Sequence, residues 1–363
     1  MVELSENFNP IRQEGLMERA KVSTEYCCGV DLHARTMYVT VVNRAGEVLV
    51  RQNMPNHFGQ FVRVLRPFLP SVSVGVESTY NWYWLADGCH QADISFYLGH
   101  ALYMKAIHSG KKKNDRIDSQ TIADLLRCGF FPVAYPYPRE MRATRDLLRR
   151  RHRYVSLRAE AYTHIQGTFS QHAMLGITGT DTKRKTTRRE LPGEFEEPSL
   201  SMSVTCDLDM VDTLDAIITQ IEQQIRALAK HHDNRALSIL MSVPGVGEMI
   251  ALTILYEMHT PARFPSAQKL SSYARLVKVD HTSNGKWAGE GNPKIGNPHL
   301  KWAFTEIVQH APRQSERLSR YYDKLKSRHR PGKARIVFAH KFAVAIYHML
   351  KNGQAFDEKR FLS

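Results

Sequence analysis

The chain has 363 residues, of which 50 are Lys or Arg and 36 are Asp or Glu, so its formal net charge is +14. Hydrophobic residues make up 42% and charged residues 24%, a composition typical of a soluble globular protein. No apolar run approaches the roughly 18 residues that span a bilayer, and residues 1–15 lack the apolar centre of a signal peptide. We therefore expect a cytoplasmic protein without a membrane partner. A positive excess of this size usually serves a polyanion, so nucleic acid is the leading expected partner.

Length and cysteine content narrow the class further. A chain this long usually has more than one hydrophobic core, so we expect at least two folded domains. Five cysteines occur without a CxxC spacing. This odd number favours neither a disulfide framework nor a zinc site, and it indicates reduced thiols.

Apolar patterns in the first third of the chain predict an α/β domain. Alternating and β-branched residues predict a meander of three strands. Helical spacing and further β-branched runs then give the order βββαβαβα. The predicted strands are 26–33, 37–43, 48–53, 72–77 and 94–98, and the predicted helices are 57–69, 81–91 and 119–128.

A linker and a long basic helix are predicted next. Residues 131–138 contain three prolines, which neither continue a helix nor pair in a central strand. Residues 139–169 then have the pattern of one long helix. A dense basic run within it favours a surface that faces nucleic-acid phosphates, and a merely solvated helix is the alternative. The run supplies the nucleic-acid-binding candidates Arg149, Arg150, Arg151 and Arg153.

Two further segments precede the last third of the chain. Residues 176–203 are rich in Thr, Gly, Pro and charge, which predicts a flexible basic insertion. Apolar residues then recur with a 3-4-3-4-3 spacing, the seam of a short coiled coil. Such a helix either pairs with the same helix of a second subunit or packs on the long basic helix of its own chain. The seam consists of Val211, Leu214, Ile218, Ile221, Ile225 and Leu228.

The last unit opens with a glycine-rich turn between two helical patterns. Residues 243–247 have the sequence VPGVG, which predicts a helix-hairpin-helix. The turn would present backbone N–H groups of Gly245 and Gly247 to a phosphate at a helix N-terminus. Short glycine turns also occur in helical bundles that bind nothing, so both interpretations stand.

Four carboxylates form the most informative set. Asp31 and Glu77 each end a buried strand, where a carboxylate is out of place unless it serves a site. Asp115 and Asp118 are three residues apart at the start of a helix and share one face. Individually each acid has a structural explanation as a cap or a turn residue. Together they predict a site for Mg²⁺, which carboxylates and phosphate bind and which promotes phosphoryl transfer.

The motifs together resemble a known family. The βββαβαβα order with these acids is similar to the RuvC-like nuclease domain of the ribonuclease H type. The chain from residue 237 onward resembles the C-terminal domain of the DEDD insertion-sequence transposases, relatives of the Piv DNA invertase. The resembling stretches are KNDRID at 113–118, VPGVG at 243–247, RFPSAQKL at 263–270, TSNGK at 282–286 and KIGNPHL at 294–300.

This resemblance implies a function and its partners. The expected protein cuts and rejoins donor and target DNA through a metal site and a serine of the second domain. In the family a structured noncoding bridge RNA pairs with both DNAs. The proteins form dimers and tetramers, in which domains of different subunits complete each site. The expected location is the bacterial nucleoid.

The resemblance also implies a nucleophile. Ser283 falls in the serine-and-glycine stretch before the KIGN segment and would form a phosphoserine-DNA link. Asn284 departs from the small residue often found there, and Ser271 and Ser272 compete for the role. A serine in a Thr-Ser-Asn-Gly turn also has a purely structural explanation. Flanking candidates for phosphate contacts are Lys286, Lys294, His299 and Lys301, and His281 is a candidate base.

The predicted layout therefore has four segments. They are an arm (1–23), an RNase H-like (RuvC-like) α/β domain (24–137), a helical coiled-coil connector (138–235) and a mainly α C-terminal transposase domain (236–363) with a helix-hairpin-helix-like element. Two other functions are compatible with parts of this pattern. One is a metal-dependent junction nuclease in which Ser283 is dispensable, and the other is a non-catalytic RNA-binding scaffold. The intact acid set argues against the scaffold, and the serine-containing domain argues against the nuclease.

Overall fold

The computed structural model describes residues 19–107, 115–174, 176–229, 233–277, 280–283, 286–290 and 295–363. The chain divides into two compact units between Arg139 and Glu140. We call them the N-terminal unit and the C-terminal unit. Within the described residues no helix combines the length and the apolarity needed to cross a membrane.

The N-terminal unit is built on one five-stranded sheet. Its strands are β1 (Tyr26–Leu32), β2 (Thr36–Asn43), β3 (Val48–Pro55), β4 (Val72–Glu77) and β5 (Ser95–Gly99). They lie in the order β3-β2-β1-β4-β5. The pairs β1–β2 and β2–β3 are antiparallel, as the predicted meander requires, whereas β4 pairs in parallel with β1 and β5. A mixed sheet of this kind fits an RNase H-like domain.

Helices cover both faces of the sheet. They are α1 (Phe58–Leu65), α2 (Tyr83–Gln91), α3 (Ala101–Ile107) and α4 (Asp115–Arg127). Phe61 and Leu65 of α1 pack with the even-numbered valines of β4 in one core. Ile122 and Leu126 of α4 pack with Cys27 in a second core. The predicted elements are present, and α3 is an additional helix between β5 and α4.

Two glycines allow α4 to approach the sheet closely. Gly29 of β1 and Gly75 of β4 are register partners in neighbouring strands. A Cβ atom at Gly29 would lie 2.0 Å from the backbone oxygen of Ser119, and one at Gly75 would lie 2.5 Å from Leu126 Cδ1. The buried hydroxyls of Ser119 and Thr40 of β2 are hydrogen-bonded at 2.8 Å. The sequence thus places the N-terminal end of α4 over the end of β1.

The C-terminal unit opens with two long helices that pack against each other. They are α5 (Arg139–Gln171) and α7 (Pro198–Ala229). Arg151 of α5 pairs with Glu222 of α7 at 2.7 Å, and Arg158 pairs with Asp215 at 2.5 Å. Residue numbers rise along one helix as they fall along the other, so the pair is antiparallel. Packing within one chain, the second of the two alternatives for the apolar seam, is therefore the one present here.

The segment 176–203, predicted to be a flexible insertion, differs from that prediction. It contains α6 (Lys185–Arg188) and a 3-10 turn (Leu191–Glu194), and α7 already begins at Pro198. Arg188 is 2% exposed, and its guanidinium contacts Tyr162 and the carboxylates of Asp212 and Asp215. The basic composition predicted a solvated segment because the acidic partners of Arg188 are not nearby in the sequence. Asp212 and Asp215 lie 24 and 27 residues further along the chain.

The rest of the C-terminal unit is a helical bundle with one hairpin. Its helices are α8 (Asn234–Met241), α9 (Glu248–Met258), α10 (Ala267–Tyr273), α11 (Pro298–Gln314), α12 (Glu316–Arg328), α13 (Pro331–Asn352) and α14 (Glu358–Leu362). The hairpin consists of β6 (Asp280–Ser283) and β7 (Lys286–Glu290). Helices α8 and α9 flank the VPGVG turn, in agreement with the predicted helix-hairpin-helix. One core joins them to α11 and α13.

Candidate functional site

Strand register brings the first two predicted carboxylates to one edge of the sheet. Asp31 and Glu77 each follow by one residue the paired Val30 and Val76 of β1 and β4. Successive side chains of a strand alternate between faces, so both acids lie on the face of Gly29 and Gly75, which α4 covers. The predicted neighbourhood of the two strand ends is therefore present.

Helix α4 adds a third carboxylate to this edge. Asp115 is the first residue of α4, and its Oδ2 lies 3.2 Å from Nε2 of His33. The same nitrogen lies 3.4 Å from Oδ2 of Asp31. Ligand atoms of Asp31, His33 and Asp115 all lie within 4.8 Å of one another. Asp118 follows one turn later on α4 and is half-buried.

His33 is a site residue that the sequence interpretation missed. It lies directly after β1, two residues beyond Asp31, and therefore on the same face of the sheet. The spacing of two residues between Asp31 and His33 was the sequence signal that could have identified this histidine.

The donor set has the chemistry of a metal centre. Two carboxylates and an imidazole, partly open to solvent, are ligands that divalent cations accept in proteins. Their side chains are 20% exposed at Asp31, 47% at His33 and 51% at Asp115, so an ion and a substrate phosphate can reach them. Among the described residues, this is the group whose donor atoms could hold a metal.

The predicted nucleophile belongs to the hairpin of the C-terminal unit. Ser283 is the last residue of β6, and its register partner is Lys286 of β7. Asn284 lies outside the described residues, as does Lys294. Of the competing serines, Ser271 is fully buried and its hydroxyl donates to the backbone oxygen of Ala267 at 2.9 Å. Ser272 is exposed near the end of α10.

The chain on either side of this hairpin is tied together at its base. The backbone N–H of Asn297 donates to the oxygen of Tyr273 at 2.5 Å, and Arg275 Nε donates to the oxygen of Ile295 at 3.1 Å. Gly296 has φ +95°, and a Cβ there would lie 2.5 Å from the Tyr273 oxygen. Residues 273–275 and 295–297 thus form a fixed base for the loop that carries Ser283.

A buried carboxylate supports this base. Glu257 of α9 is 1% exposed and accepts hydrogen bonds from Arg145, Arg149 and the Nδ2 of Asn297 at 2.5 to 3.0 Å. Burial alone would raise the pKa of Glu257, but the Arg149 hydrogen bond, both guanidinium charges and the Asn297 amide lower it to about 2. The Asn297 Oδ1 in turn caps α11 through the N–H groups of His299 and Leu300.

Two histidines adjoin this network. The imidazole of His152 lies 5.4 Å from that of His299 and 4.6 Å from the ring of Trp302, between centroids. Burial lowers the pKa of His299 to about 4, and burial also lowers the pKa of His152. Both rings are therefore neutral near pH 7. His299 was predicted as a phosphate contact; a neutral ring still has one N–H to donate to a phosphate, so this contact stays a prediction.

The basic run of α5 is divided between two roles. Arg149 pairs with Glu257 and Arg151 pairs with Glu222, so both are engaged inside the unit. Arg150 and Arg153 are exposed. The exposed pair has the position expected of phosphate-facing residues, and the nucleic-acid role of all four arginines stays a prediction. Lys301, near the start of α11, is also exposed.

The two glycines of the VPGVG turn are likewise unlike each other. Gly245 has φ +84°, is buried against α11, and its N–H donates to Gln314 Oε1 at 2.7 Å. That hydrogen bond occupies the amide predicted to bind phosphate, so Gly245 shapes the turn. Gly247 is exposed at the N-cap of α9, with open space around its Cα.

A mixed five-stranded sheet with acids at one edge, followed by a mostly helical unit, fits the class of RNase H-like DEDD proteins. Comparison with known families gives the particular group. A model of the DEDD transposases of IS110 type matches residues 28–174, and the model described as the transposase IS116/IS110/IS902 family matches residues 237–323. The chain belongs to this family of DEDD-type insertion-sequence transposases, and DNA transposition is the function of the family.

Three relatives agree with this assignment. The transposase of insertion sequence element IS1111A from Coxiella burnetii is 24% identical over 67% of this chain and 68% of its own length. The transposase of element IS1328 from Yersinia enterocolitica is 21% identical over 91% of this chain and 98% of its own. An uncharacterized protein of insertion element IS110 from Streptomyces coelicolor is 30% identical over 45% of this chain and 38% of its own.

Proposed function

We propose that this transposase cuts and rejoins DNA with a Mg²⁺-binding carboxylate centre and a serine nucleophile. The centre consists of Asp31, Glu77, Asp115 and Asp118, and the nucleophile is Ser283. One observation carries the proposal: a carboxylate oxygen of Asp31 and one of Asp115 both lie within 3.4 Å of the His33 Nε2 atom. The two acids are 84 residues apart in the chain and belong to different elements. Without a cation or substrate to balance them, clustered carboxylates would repel one another.

Each part of the centre has a distinct task. Asp31 and Asp115 would hold the ion directly. Glu77 lies on the same face of the sheet as Asp31, and Asp118 lies on the same helix as Asp115, so both extend the acidic surface. A bound divalent ion supplies positive charge that stabilises the phosphate oxygens during phosphoryl transfer. The buried contact of Ser119 with Thr40 fixes α4 and so keeps Asp115 at the end of β1.

The serine step is a displacement at phosphorus. The Ser283 hydroxyl oxygen forms a bond to the phosphorus of a DNA phosphodiester, while the bond from phosphorus to one deoxyribose oxygen breaks. The serine proton passes to water, and the departing oxygen takes up a proton. The products are a phosphoserine-DNA ester and a DNA hydroxyl. A hydroxyl of a second DNA strand then attacks the ester, which rejoins the DNA and restores the serine.

Nucleic-acid partners follow from charge and family resemblance. The net charge of +14 and the exposed Arg150, Arg153 and Lys301 suit phosphate binding. Lys286 and Lys294 flank the serine loop, and Gly247 offers a helix N-terminus. The donor and target DNAs are proposed to be selected by a noncoding bridge RNA, and the protein to act as a dimer or tetramer.

A recombination assay with an adduct readout tests the proposal. Purified protein is incubated with Mg²⁺, donor and target DNA, and RNA transcribed from the DNA that flanks the gene. The variants are Ser283→Ala, Ser272→Ala and Asp31→Ala. Ser327→Ala, an exposed serine of α12 beyond the family match, is the matched control. Denaturing gels detect DNA that is covalently bound to protein.

Wild type, Ser272→Ala and Ser327→Ala are expected to give recombinants and a covalent adduct. Ser283→Ala is expected to give neither, and Asp31→Ala is expected to lose cleavage. Recombination by Ser283→Ala with no activity in Asp31→Ala would contradict the serine assignment and favour a metal-dependent nuclease. Equal products with and without the RNA would contradict guidance by RNA while leaving the catalytic proposal intact.

A further inference from the structure

We propose that His33 is a metal ligand of this centre beside Asp31 and Asp115, and that the centre therefore selects Mn²⁺ over Mg²⁺. The inference rests on the proposed metal centre, which it deepens by naming an additional ligand and the preferred ion. It starts from three observations: the spacing of the donor atoms, the position of one ring nitrogen, and the way the His33 backbone is held.

The spacing of the donor atoms suits a single ion. Two neighbouring ligands at right angles, each about 2.1 Å from a cation, lie about 3 Å from each other. The Nε2 atom of His33 lies 3.4 Å from Asp31 Oδ2 and 3.2 Å from Asp115 Oδ2. These separations are those of adjacent ligands, so little side-chain movement is needed to bind.

Hydrogen bonding alone is a poor explanation for the same arrangement. The Nε2 atom of a histidine carries at most one hydrogen, which points along a single direction. Here that atom has two carboxylate oxygens at similar distances, both beyond the usual 2.7 to 2.9 Å of a charge-assisted hydrogen bond. One ion accepts donors from all three side chains at once.

The backbone of His33 is held in place although its side chain is 47% exposed. Its N–H donates to the oxygen of Thr36 at 2.9 Å. Its oxygen accepts from Asn56 Nδ2 at 2.8 Å and from Asn81 Nδ2 at 2.6 Å. Asn81 follows the strand that carries Glu77, so the same contacts fix the histidine relative to both strand ends.

An imidazole ligand changes which cation the centre prefers. Mg²⁺ is a hard ion that favours oxygen donors. Mn²⁺ also binds carboxylates, but it is a first-row transition metal and accepts nitrogen ligands more readily than Mg²⁺ does. A site of two carboxylates and one imidazole should therefore bind Mn²⁺ more tightly than Mg²⁺. Removal of the imidazole should reduce this preference.

Electron paramagnetic resonance on the full-length protein tests the inference. Mn²⁺ is titrated alone and in competition with Mg²⁺, and pulsed spectra report whether a ¹⁴N nucleus lies in the coordination shell. The variants are His33→Gln, which keeps reach and polarity, and Asp31→Ala. His90→Gln, an exposed histidine of α2, is the matched control. Thermal melting of each variant shows whether it is folded.

Wild type and His90→Gln are expected to bind Mn²⁺ with a ¹⁴N signal. In His33→Gln the signal should vanish, and the ratio of Mn²⁺ to Mg²⁺ affinity should fall at least about tenfold, since even groups behind the ligands change metal affinity about 10- to 100-fold. Mn²⁺ binding without a ¹⁴N signal in wild type, or with a signal that persists in His33→Gln, would overturn the inference and leave the metal centre standing. Absence of Mn²⁺ and Mg²⁺ binding to wild type would overturn both.

Discussion

Gly29 of β1 lies directly beneath Ser119 of α4, so closely that a methyl group on Gly29 would be 2.0 Å from the Ser119 backbone oxygen and 2.4 Å from the Ala123 nitrogen. Both obstacles are helix backbone, which cannot move aside as a flexible side chain can. Because Asp115 belongs to the same helix, this contact links the packing of the sheet to the geometry of the metal centre.

Gly29→Ala is expected to destabilise the N-terminal unit and to weaken metal binding. Overpacking of this kind costs about 1–3 kcal/mol, and relief of the clash moves α4 away from β1. Asp115 would move with α4, so metal affinity should fall by about 10-fold or more. Urea unfolding and metal titration measure the two effects.

Gly167→Ala is the control for this substitution. Gly167 lies inside α5, and no neighbouring atom lies within 4 Å of the position that an alanine methyl group would take. Alanine should therefore raise stability by about 0.5–1 kcal/mol. A Gly29→Ala protein with wild-type stability and metal affinity would show that α4 can shift without cost and that its contact with β1 does not position Asp115.

The basic helix α5 offers a test with matched residues. Arg150 and Arg153 are exposed, whereas Arg151 is paired with Glu222. Arg150→Ala and Arg153→Ala should each weaken DNA and RNA binding and lower the slope of log affinity against log salt by about 0.9 for each phosphate that is no longer neutralised. Filter binding at several salt concentrations measures this.

Arg151→Ala should behave differently although it removes the same charge. Its guanidinium is 16% exposed and bonds a carboxylate of α7, so its loss should cost about 1–3 kcal/mol of stability and leave the salt slope close to that of wild type. If all three variants lowered the slope equally, the division of α5 into internal and nucleic-acid-facing arginines would be wrong.

Local patterns accounted for the sheet and for part of the site. The strands were predictable because buried apolar runs end at Asp31 and Glu77, whereas the pairing of β1 with β4, which brings these acids to one edge, is seen in the structure. The approach of Asp115 was not predictable in detail, since it depends on the Gly29–Ser119 contact across 90 residues. His33 was within reach of sequence reasoning, because it shares the face of Asp31 at a spacing of two.

Long-range ion pairs are contacts that local sequence patterns did not reveal. Arg149 and Glu257 are 108 residues apart, and Arg188 lies 24 residues from Asp212. A count of basic residues along the chain cannot distinguish a guanidinium that faces solvent from one that neutralises a distant carboxylate. For this reason the run of arginines did not reveal that Arg149 and Arg151 pair with distant acids, and a basic segment indicated flexibility where it is folded.

Glu257 gives the C-terminal unit a defined response to acid. Because folding lowers the pKa of Glu257 from 4.5 to about 2, its ionised carboxylate stabilises the fold above pH 4.5. This contribution, about 3 kcal/mol for a shift of that size, is lost as the pH falls from 4.5 toward 2. Glu257→Gln should therefore be less stable than wild type at pH 7 by about 3–5 kcal/mol, since it leaves two arginines without their buried partner.

The difference between the two proteins is the quantity to measure, because other carboxylates also titrate in this range. Urea unfolding at pH 7, 4.5 and 3 should show the gap between wild type and Glu257→Gln narrowing as the pH falls. Glu248→Gln, at a partly exposed pair with Arg226, should differ from wild type by about 1 kcal/mol or less. A gap for Glu257→Gln that stayed constant down to pH 3 would mean that folding does not lower the pKa of the Glu257 carboxyl group.

The two glycines of the VPGVG turn are expected to have different roles, Gly245 in the conformation of the turn and Gly247 in phosphate binding. Gly245 has φ +84°, and a Cβ there would lie 2.4 Å from the Ala311 nitrogen, so Gly245→Ala adds both backbone strain and a clash with α11. A loss of about 2–4 kcal/mol is expected. Gly247 has φ −83° and open space, so Gly247→Ala should cost at most about 1 kcal/mol, the usual effect at an N-cap.

Nucleic-acid binding at equal folded concentration then distinguishes the two positions. If the turn binds phosphate at the start of α9, Gly247→Ala should weaken DNA binding because its methyl group occupies the space that the phosphate needs, while the protein stays folded. Gly245→Ala should lose stability first, because its amide already donates to Gln314. Unchanged DNA affinity in a stable Gly247→Ala protein would assign the whole turn to packing of α8 and α9 against α11.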